Sequence, residues 1–267
     1  MPKPLPTTPC FHVDAFTSRA FRGNPAAVCL LTKARPASWM QAVAAELNLS
    51  ETAFVIPRRR GFGLRWFTPK VEVELCGHAT LAAAHVLWRE GVAPPDAVLR
   101  FATRSGELIA RRHERGIELD FPARPAEPTR APAGLVKALG TAPRGVFAAA
   151  DDLLVELLSP AAVLELAPDL QRLATLPVRG VIVTAADSGR RDFVSRFFAP
   201  AVGVPEDPVT GSAHCALAPF WGERLGKQRL RGQQLSERGG EVECELAGER
   251  VLLRGDAVTV LRGELLA

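Results

Sequence analysis

The chain has no tyrosine in 267 residues. That excludes every mechanism built on a tyrosine acid, base or nucleophile, including the Tyr/Lys chemistry of short-chain dehydrogenases. No stretch approaches the ~18 consecutive apolar residues of a membrane span, and the opening Met-Pro-Lys-Pro-Leu-Pro is proline-rich where a secretion signal would carry an apolar run, so a cytoplasmic protein without a membrane partner is expected. Cysteine is scarce: Cys10, Cys29, Cys76, Cys215 and Cys244 are odd in number, widely spread and without a Cys-x-x-Cys pair, which argues against a disulfide framework or a zinc cage. His12, His85, His113 and His214 have no metal-site spacing. Cofactor signatures are missing too. Gly61-Phe62-Gly63-Leu64-Arg65-Trp66 lacks the last glycine of a dinucleotide turn, and there is no G-x-x-x-x-G-K-[ST], no H-E-x-x-H and no G-x-S-x-G. A reaction without cofactor or metal is therefore the leading enzymatic reading, and hydrolysis by a serine nucleophile falls away.

What is present is ordinary globular composition, 47% hydrophobic and 23% charged, with a net charge of +4. Basic residues are mostly arginine. The clusters Arg58-Arg59-Arg60 and Arg111-Arg112-His113-Glu114-Arg115 adjoin Gly61 and Gly116 in turns and carry no interleaved aromatics, so they read as solvated loops rather than a nucleic-acid surface.

Mid-chain, Pro122, Pro125, Pro128 and Pro132 fall within eleven residues, where neither a helix nor a central strand can run. This reads as a linker between two halves, residues 1–122 and 123–257. The halves repeat each other: Arg65-Trp66-Phe67-Thr68-Pro69-Lys70-Val71-Glu72-Val73 matches Arg196-Phe197-Phe198-Ala199-Pro200-Ala201-Val202-Gly203-Val204, each pair 131 residues apart. Each segment runs into a glycine turn and then an alanine-rich helix, about 79–90 and 213–225, apolar on nearly every face and so destined for a core. Short alternating runs surround both helices. The expected class is α+β: two pseudo-symmetric domains, each a mostly antiparallel, barrel-like sheet around one central helix, with amphipathic helices near 38–47 and 161–173 outside.

Helix starts hold anions, because their first amides lack intrahelical partners and sit at the positive end of the helix dipole. The turns at Gly77, His78 and Ala79 and at Gly211, Ser212 and Ala213 are two such starts, and a pseudo-twofold would bring them to one cleft that takes a small carboxylate. Glu51, where an apolar strand begins, has no acidic counterpart 131 residues later. A single carboxylate in a duplicated frame favours proton transfer by one base.

The motifs Val13-Asp14-Ala15-Phe16-Thr17, Gly23-Asn24-Pro25-Ala26-Ala27-Val28, Asn48-Leu49-Ser50-Glu51-Thr52-Ala53-Phe54, Arg65-Trp66-Phe67-Thr68-Pro69, Cys76-Gly77-His78-Ala79-Thr80 and Glu206-Asp207-Pro208-Val209-Thr210-Gly211-Ser212-Ala213, in that order, resemble those of the PhzF-like phenazine-biosynthesis isomerases. The resemblance implies the diaminopimelate epimerase-like fold, a homodimer, and a last strand, 258–267, that completes the first domain. It implies that Glu51 is the acid/base, which in the phenazine-pathway member moves a proton between carbons of a dihydro-hydroxyanthranilate. It further implies that His78 and Asp207 contact the substrate's polar groups, while Ser50, Gly77, Gly211 and Ser212 surround its carboxylate.

Two other readings stand beside this one. A thiol racemase or epimerase would use Cys76, but the matching place in the second half is Asp207, and Cys215 lies further on, inside the helix. A non-catalytic small-carboxylate-binding protein would need no Glu51.

Overall fold

The computed structural model describes residues 7–267; the proline-rich start, residues 1–6, lies outside them. Two compact units divide the described residues, one of residues 7–120 with 254–267, the other of residues 121–253.

In the first unit run β1 (Thr8–Ala15), β2 (Asn24–Leu30), α1 (Ala37–Leu47), β3 (Glu51–Pro57), β4 (Phe62–Phe67), β5 (Glu72–Val73), α2 (Gly77–Arg89), β6 (Leu99–Thr103), β7 (Gly106–His113) and β8 (Gly116–Pro122). The second holds β9 (Glu127–Pro128), α3 (Leu135–Leu139), β10 (Gly145–Ala149), β11 (Asp152–Glu156), α4 (Pro160–Leu164), α5 (Leu170–Leu173), β12 (Gly180–Ala186), β13 (Phe193–Ala199), β14 (Val204–Asp207), α6 (Gly211–Leu225), β15 (Arg229–Gln234), β16 (Gly240–Ala247) and β17 (Arg250–Gly255). The final strand, β18 (Ala257–Leu265), returns to the first unit and pairs antiparallel with β1.

Each unit is a mixed sheet with one recurring plan. In the first, β1–β2, β3–β4, β6–β7 and β7–β8 are antiparallel, while β2–β3 and β4–β6 are parallel. In the second, β10–β11, β12–β13 and β15–β16 are antiparallel, while β11–β12 and β13–β15 are parallel. Parallel neighbours cannot be joined by a hairpin and need a crossover. The central helices are those crossovers: α2 lies between β4 and β6, and α6 between β13 and β15.

An apolar crossover helix has only the concave side of its own sheet to bury against. In α2, Leu81, Ala82, Ala83, Ala84, Val86 and Leu87 are fully buried, packed on β1, β2 and β3. Each leucine removed from water in this way stabilises the fold by roughly 1.5–3 kcal/mol. The outer face of the sheet is covered by amphipathic α1, whose Met40, Val43 and Ala44 join Cys10, Cys29, Phe54 and Phe67. In the second unit Leu135, Ala138, Val163 and Leu173 of the short helices pack on Val155, Val183, Val194 and Phe198.

Two expectations change. The outer helix near 161–173 is broken into α4 and α5, because Pro168 removes a backbone donor and Asp169 starts a new helix by accepting the Arg172 amide at 3.0 Å. The proline-rich segment is not bare linker, since Glu127 and Pro128 pair with Ala148 and Phe147 as an edge strand, the place in a sheet where proline is tolerated.

The internal repeat reappears as contacts. Arg65 Nε and Nη2 fork onto Glu72 at 2.6 and 2.7 Å, and its guanidinium lies 5.2 Å from the Phe67 ring centre. Arg196 forks onto Glu206 at 2.7 and 2.9 Å and lies 4.8 Å from the ring centre of Phe198. In both units a bidentate arginine on the strand before the central helix pins the short return strand, β5 or β14, that delivers the chain to the helix start.

The returning end of the chain is anchored in the first unit by a buried pair: Arg254 Nε and Nη2 donate to Glu118 Oε2 at 2.8 and 2.7 Å. Both residues are nearly inaccessible. Arg254→Ala leaves the carboxylate of Glu118 with Arg111 at 3.8 Å as its remaining ion-pair partner among the described residues, and is expected to lower the unfolding free energy by about 3 kcal/mol. Urea denaturation measures this, and the double variant Glu118→Leu/Arg254→Met should recover much of the loss. An Arg254→Ala protein as stable as the wild type would refute the anchoring role.

Candidate active site

In the first unit the site is built where strand ends meet a helix start. Ala26 of β2 is in parallel register with Glu51, the first residue of β3. The tight turn into β2 depends on Gly23, whose φ is +65° and where a Cβ would lie 2.2 Å from the Ala15 carbonyl oxygen. It leads straight into Asn24, fully buried. Above them α2 begins at Gly77, with Cys76 extended at its N-cap and His78 in its first turn.

These residues form one cluster. His78 Nε2 lies 3.1 Å from Glu51 Oε2, and Asn24 Nδ2 lies 3.1 Å from His78 Nδ1. Cys76 Sγ is 3.5 Å from the same Nδ1. A neutral His78 accepts the Asn24 amide proton at Nδ1 and carries its own proton on Nε2; an imidazolium has protons on both nitrogens and meets the amide oxygen after the amide turns over. In either state Nε2–H faces Glu51.

Electrostatics orders the protons. Burial lowers the basicity of His78, but the negative charge that Cys76 and Glu51 can present to it outweighs burial and holds it well above the usual histidine value. Glu51 is the partner that matters here, because burial, with the Glu51 charge second, pushes the Cys76 thiol up to about 11 and keeps it protonated near neutral pH. Near neutral pH a proton-rich imidazole and a neutral thiol therefore stand beside Glu51.

Ser50 is half-buried immediately before β3, and Gly77 is the first residue of α2. Both therefore adjoin the cluster along the chain.

The second unit organises Asp207, Gly211 and Ser212 around the start of α6. Asp207 ends β14, and its Oδ2 accepts the Thr210 hydroxyl at 2.5 Å. Gln234, buried on β15, clamps that turn: Oε1 accepts the Thr210 amide at 2.9 Å and Nε2 donates to the Asp207 carbonyl at 2.6 Å. Ser212 Oγ accepts from Arg179 Nη2 at 3.2 Å, and Arg179 forks onto the buried Asp152. Cys215, one turn into α6, lies with Sγ 3.5 Å from the Gly211 carbonyl oxygen and is pushed by burial up to about 12. His214 is fully buried, its pKa lowered by burial to about 4, and its Nδ1 meets the Thr210 carbonyl at 2.8 Å.

Glu51, His78, Ser50 and Gly77 are thus gathered at one helix start, and Asp207, Gly211 and Ser212 at the other. Asn24, Gln234, Arg179 and Asp152 support them and do not stand out in the sequence as site residues. Asn24 leaves a faint trace, a polar residue between a turn glycine and a proline at the head of an apolar strand. Gln234 leaves none, because its partners lie on a loop 24 residues earlier.

A duplicated mixed sheet around a crossover helix, with polar clusters at both helix starts, is the diaminopimelate epimerase-like α+β fold. The family model of the phenazine biosynthesis-like proteins matches residues 13–263. The chain belongs to this family, the PhzF-like proteins. It is 53% identical to an uncharacterized isomerase of Pseudomonas aeruginosa over 255 residues, 96% of this chain and 97% of that protein. It is 50% identical to an uncharacterized isomerase of Halalkalibacterium halodurans over 262 residues, covering 97% and 99%. A crystal structure of a PhzF-family protein from Enterococcus faecalis superposes with a TM-score of 0.93 at 41% identity, covering 97% of this chain and 99% of that one. Isomerase is the activity that the family supports.

The raised His78 has a stability signature. A group whose folded-state pKa exceeds its unfolded value adds stability that is fully present below the unfolded value of about 6.5 and is lost as pH rises through the folded value. The unfolding free energy of the wild type relative to His78→Gln should therefore decline steadily above pH 6.5, as denaturant titrations across pH 6–9 would record. A difference that stays flat over that range would show that His78 is not held protonated by Glu51.

Proposed function

We propose that this protein is a cofactor-independent isomerase that shifts a proton between carbons of a small carboxylic acid, with Glu51 as the single acid/base. The observation that carries the reading is the contact of Glu51 with His78. A carboxylate 3.1 Å from a proton-bearing imidazole nitrogen, itself braced by Asn24, pairs a proton acceptor with a fixed donor. Removing a proton from carbon leaves negative charge on the substrate, and a donor already in place stabilises that charge without reorganisation.

In this reading Glu51 takes the proton and returns it to another carbon on the same face, since one base serves both steps. His78 donates to the substrate oxygen on which charge builds. Asp207, held by Thr210 and indirectly by Gln234, accepts from a substrate hydroxyl or amine. By the family resemblance, Ser50, Gly77, Gly211 and Ser212 take the role of donors to the carboxylate. The same reading includes a cytoplasmic homodimer with no nucleic-acid or membrane partner; no described helix is long and apolar enough to cross a membrane.

The thiol-racemase alternative meets two obstacles. Burial, with the Glu51 charge second, pushes the Cys76 thiol up to about 11, so it is a thiol rather than a thiolate near neutral pH. The counterpart position is Asp207, and the nearest cysteine, Cys215, is more deeply suppressed still.

Incubating small hydroxy- and amino-carboxylic acids with the protein in deuterated water, with NMR to locate the label, tests the reaction class. Once a substrate is found, Glu51→Gln should reduce turnover by ~10² or more with binding retained, and Cys76→Ala should cost far less. Part of the product should keep the original proton, carried over on the shielded carboxyl. If Cys76→Ala abolishes turnover and Glu51→Gln does not, the thiol reading replaces this one; binding of acids without label exchange in any of them would favour the non-catalytic carboxylate-binding protein.

A further inference from the structure

We propose that Glu51, Cys76 and His78 together form a binding site for one Zn²⁺ ion, held by a thiolate, an imidazole nitrogen and a carboxylate oxygen with a fourth position left open. One donor atom from each residue lies within 4.8 Å of the other two. Zinc bonds of ~2.0–2.3 Å on tetrahedral angles space their donors roughly 3.3–3.6 Å apart. The Glu51–His78 pair, at 3.1 Å, is already at about that spacing. Cys76 Sγ lies 3.5 Å from Nδ1 of the same ring, so it is the donor that has to turn toward the ion.

A second observation points to a ligand. His78 Nε2 and Glu51 Oε2 are both buried and face each other at 3.1 Å as an ion pair whose geometry falls short of a hydrogen bond, and among the described residues neither atom has a hydrogen-bond partner elsewhere. Buried polar atoms in that condition are uncommon and costly, and a cation between them satisfies both. Charge balances as well. Thiolate and carboxylate together cancel the two charges of the ion, so the loaded cluster is neutral in a place where net charge is disfavoured. On binding, the thiol proton leaves to solvent, and the proton on the ligating ring nitrogen leaves or moves to the other nitrogen. Asn24 is the outer support: with its amide turned, Oδ1 accepts from the ring nitrogen that faces it, the arrangement that fixes metal-bound histidines.

The donor set selects the ion. A thiolate and an imidazole suit borderline-soft zinc, and the all-oxygen preferences of Mg²⁺ and Ca²⁺ are not met. A carboxylate oxygen committed to the ion cannot accept a proton from carbon. Occupancy and turnover are therefore mutually exclusive, so zinc is an inhibitor of this protein; that consequence, unlike the binding itself, rests on the function proposed above.

Cobalt titration of the reduced, chelator-treated full-length protein tests the site directly, since Co²⁺ adopts zinc geometry and a thiolate ligand gives an intense near-ultraviolet charge-transfer band. The expected result is one equivalent bound with that band, bleached by one equivalent of Zn²⁺. Cys76→Ala should abolish the band, and Glu51→Gln and His78→Asn should each weaken zinc binding at least tenfold in competition with a chromogenic chelator. Circular dichroism and thermal unfolding of each variant show whether the fold is intact; if Cys76→Ala does not fold, the Glu51→Gln and His78→Asn affinities decide. No thiolate band with excess cobalt, or unchanged affinity in both of those variants, would overturn the proposal. So would a band that survives Cys76→Ala and vanishes in Cys10→Ala, which would place the ion at the Cys10–Cys29 pair, whose sulfurs lie 3.7 Å apart. The readout is the bound ion rather than turnover, so absence of cobalt binding leaves Glu51 as acid/base standing, and an active Glu51→Gln leaves the metal site standing.

Discussion

A helix with no polar face sets the terms for the rest of this structure. The α2 segment cannot lie on a surface, so the sheet must curve over it, and the helix must serve as the crossover between parallel strands β4 and β6. Its first amides cannot be capped from within the helix, and no side chain caps them from Cys76. A buried helix therefore brings unpaired donors to the place where β2 and β3 begin, and the polar residues at those strand starts, Asn24 and Glu51, meet His78 there.

Within that cluster each group sets the proton state of another. Glu51 keeps His78 proton-rich, burial beside Glu51 keeps Cys76 a thiol, and Asn24 adapts to either form of the ring. The groups that make it suited to moving protons, a carboxylate, an imidazole and a sulfur within a few ångströms, are also the groups a zinc ion takes.

The second unit shows how far a duplicated frame can diverge chemically. The arginine fork onto glutamate, the phenylalanine beneath it and the crossover helix are retained, because they hold the approach to the helix start in place. What stands at that start differs: Asp207, Thr210 and Ser212 in place of Cys76 and His78, with His214 buried and low in basicity and Cys215 withdrawn into the helix. Framework contacts depend on shape and are kept, whereas the groups that hold and move protons depend on local charge and have parted.

Periodicity and the 131-residue repeat were enough to find the two buried helices and the glycine turns that start them, because those features depend on residues near in sequence or on self-similarity of the chain. The break between α4 and α5 was visible in Pro168 but outweighed by an apolar rhythm that runs across it. The parallel strand pairs were not visible, since a run of alternating residues does not say which neighbour it pairs with or in which direction. Nor were Asn24 as the brace of His78, Gln234 as the clamp of the Asp207 turn, or the pairing of Arg179 with Asp152, all made between residues 24 to 54 positions apart in the chain. The sequence by itself determined which segments had to be buried and which chemical groups were available. Only the tertiary structure decided which groups touch and therefore which hold protons, because pKa values follow from burial and from charges a few ångströms away in space, and neither is a property of position along a chain.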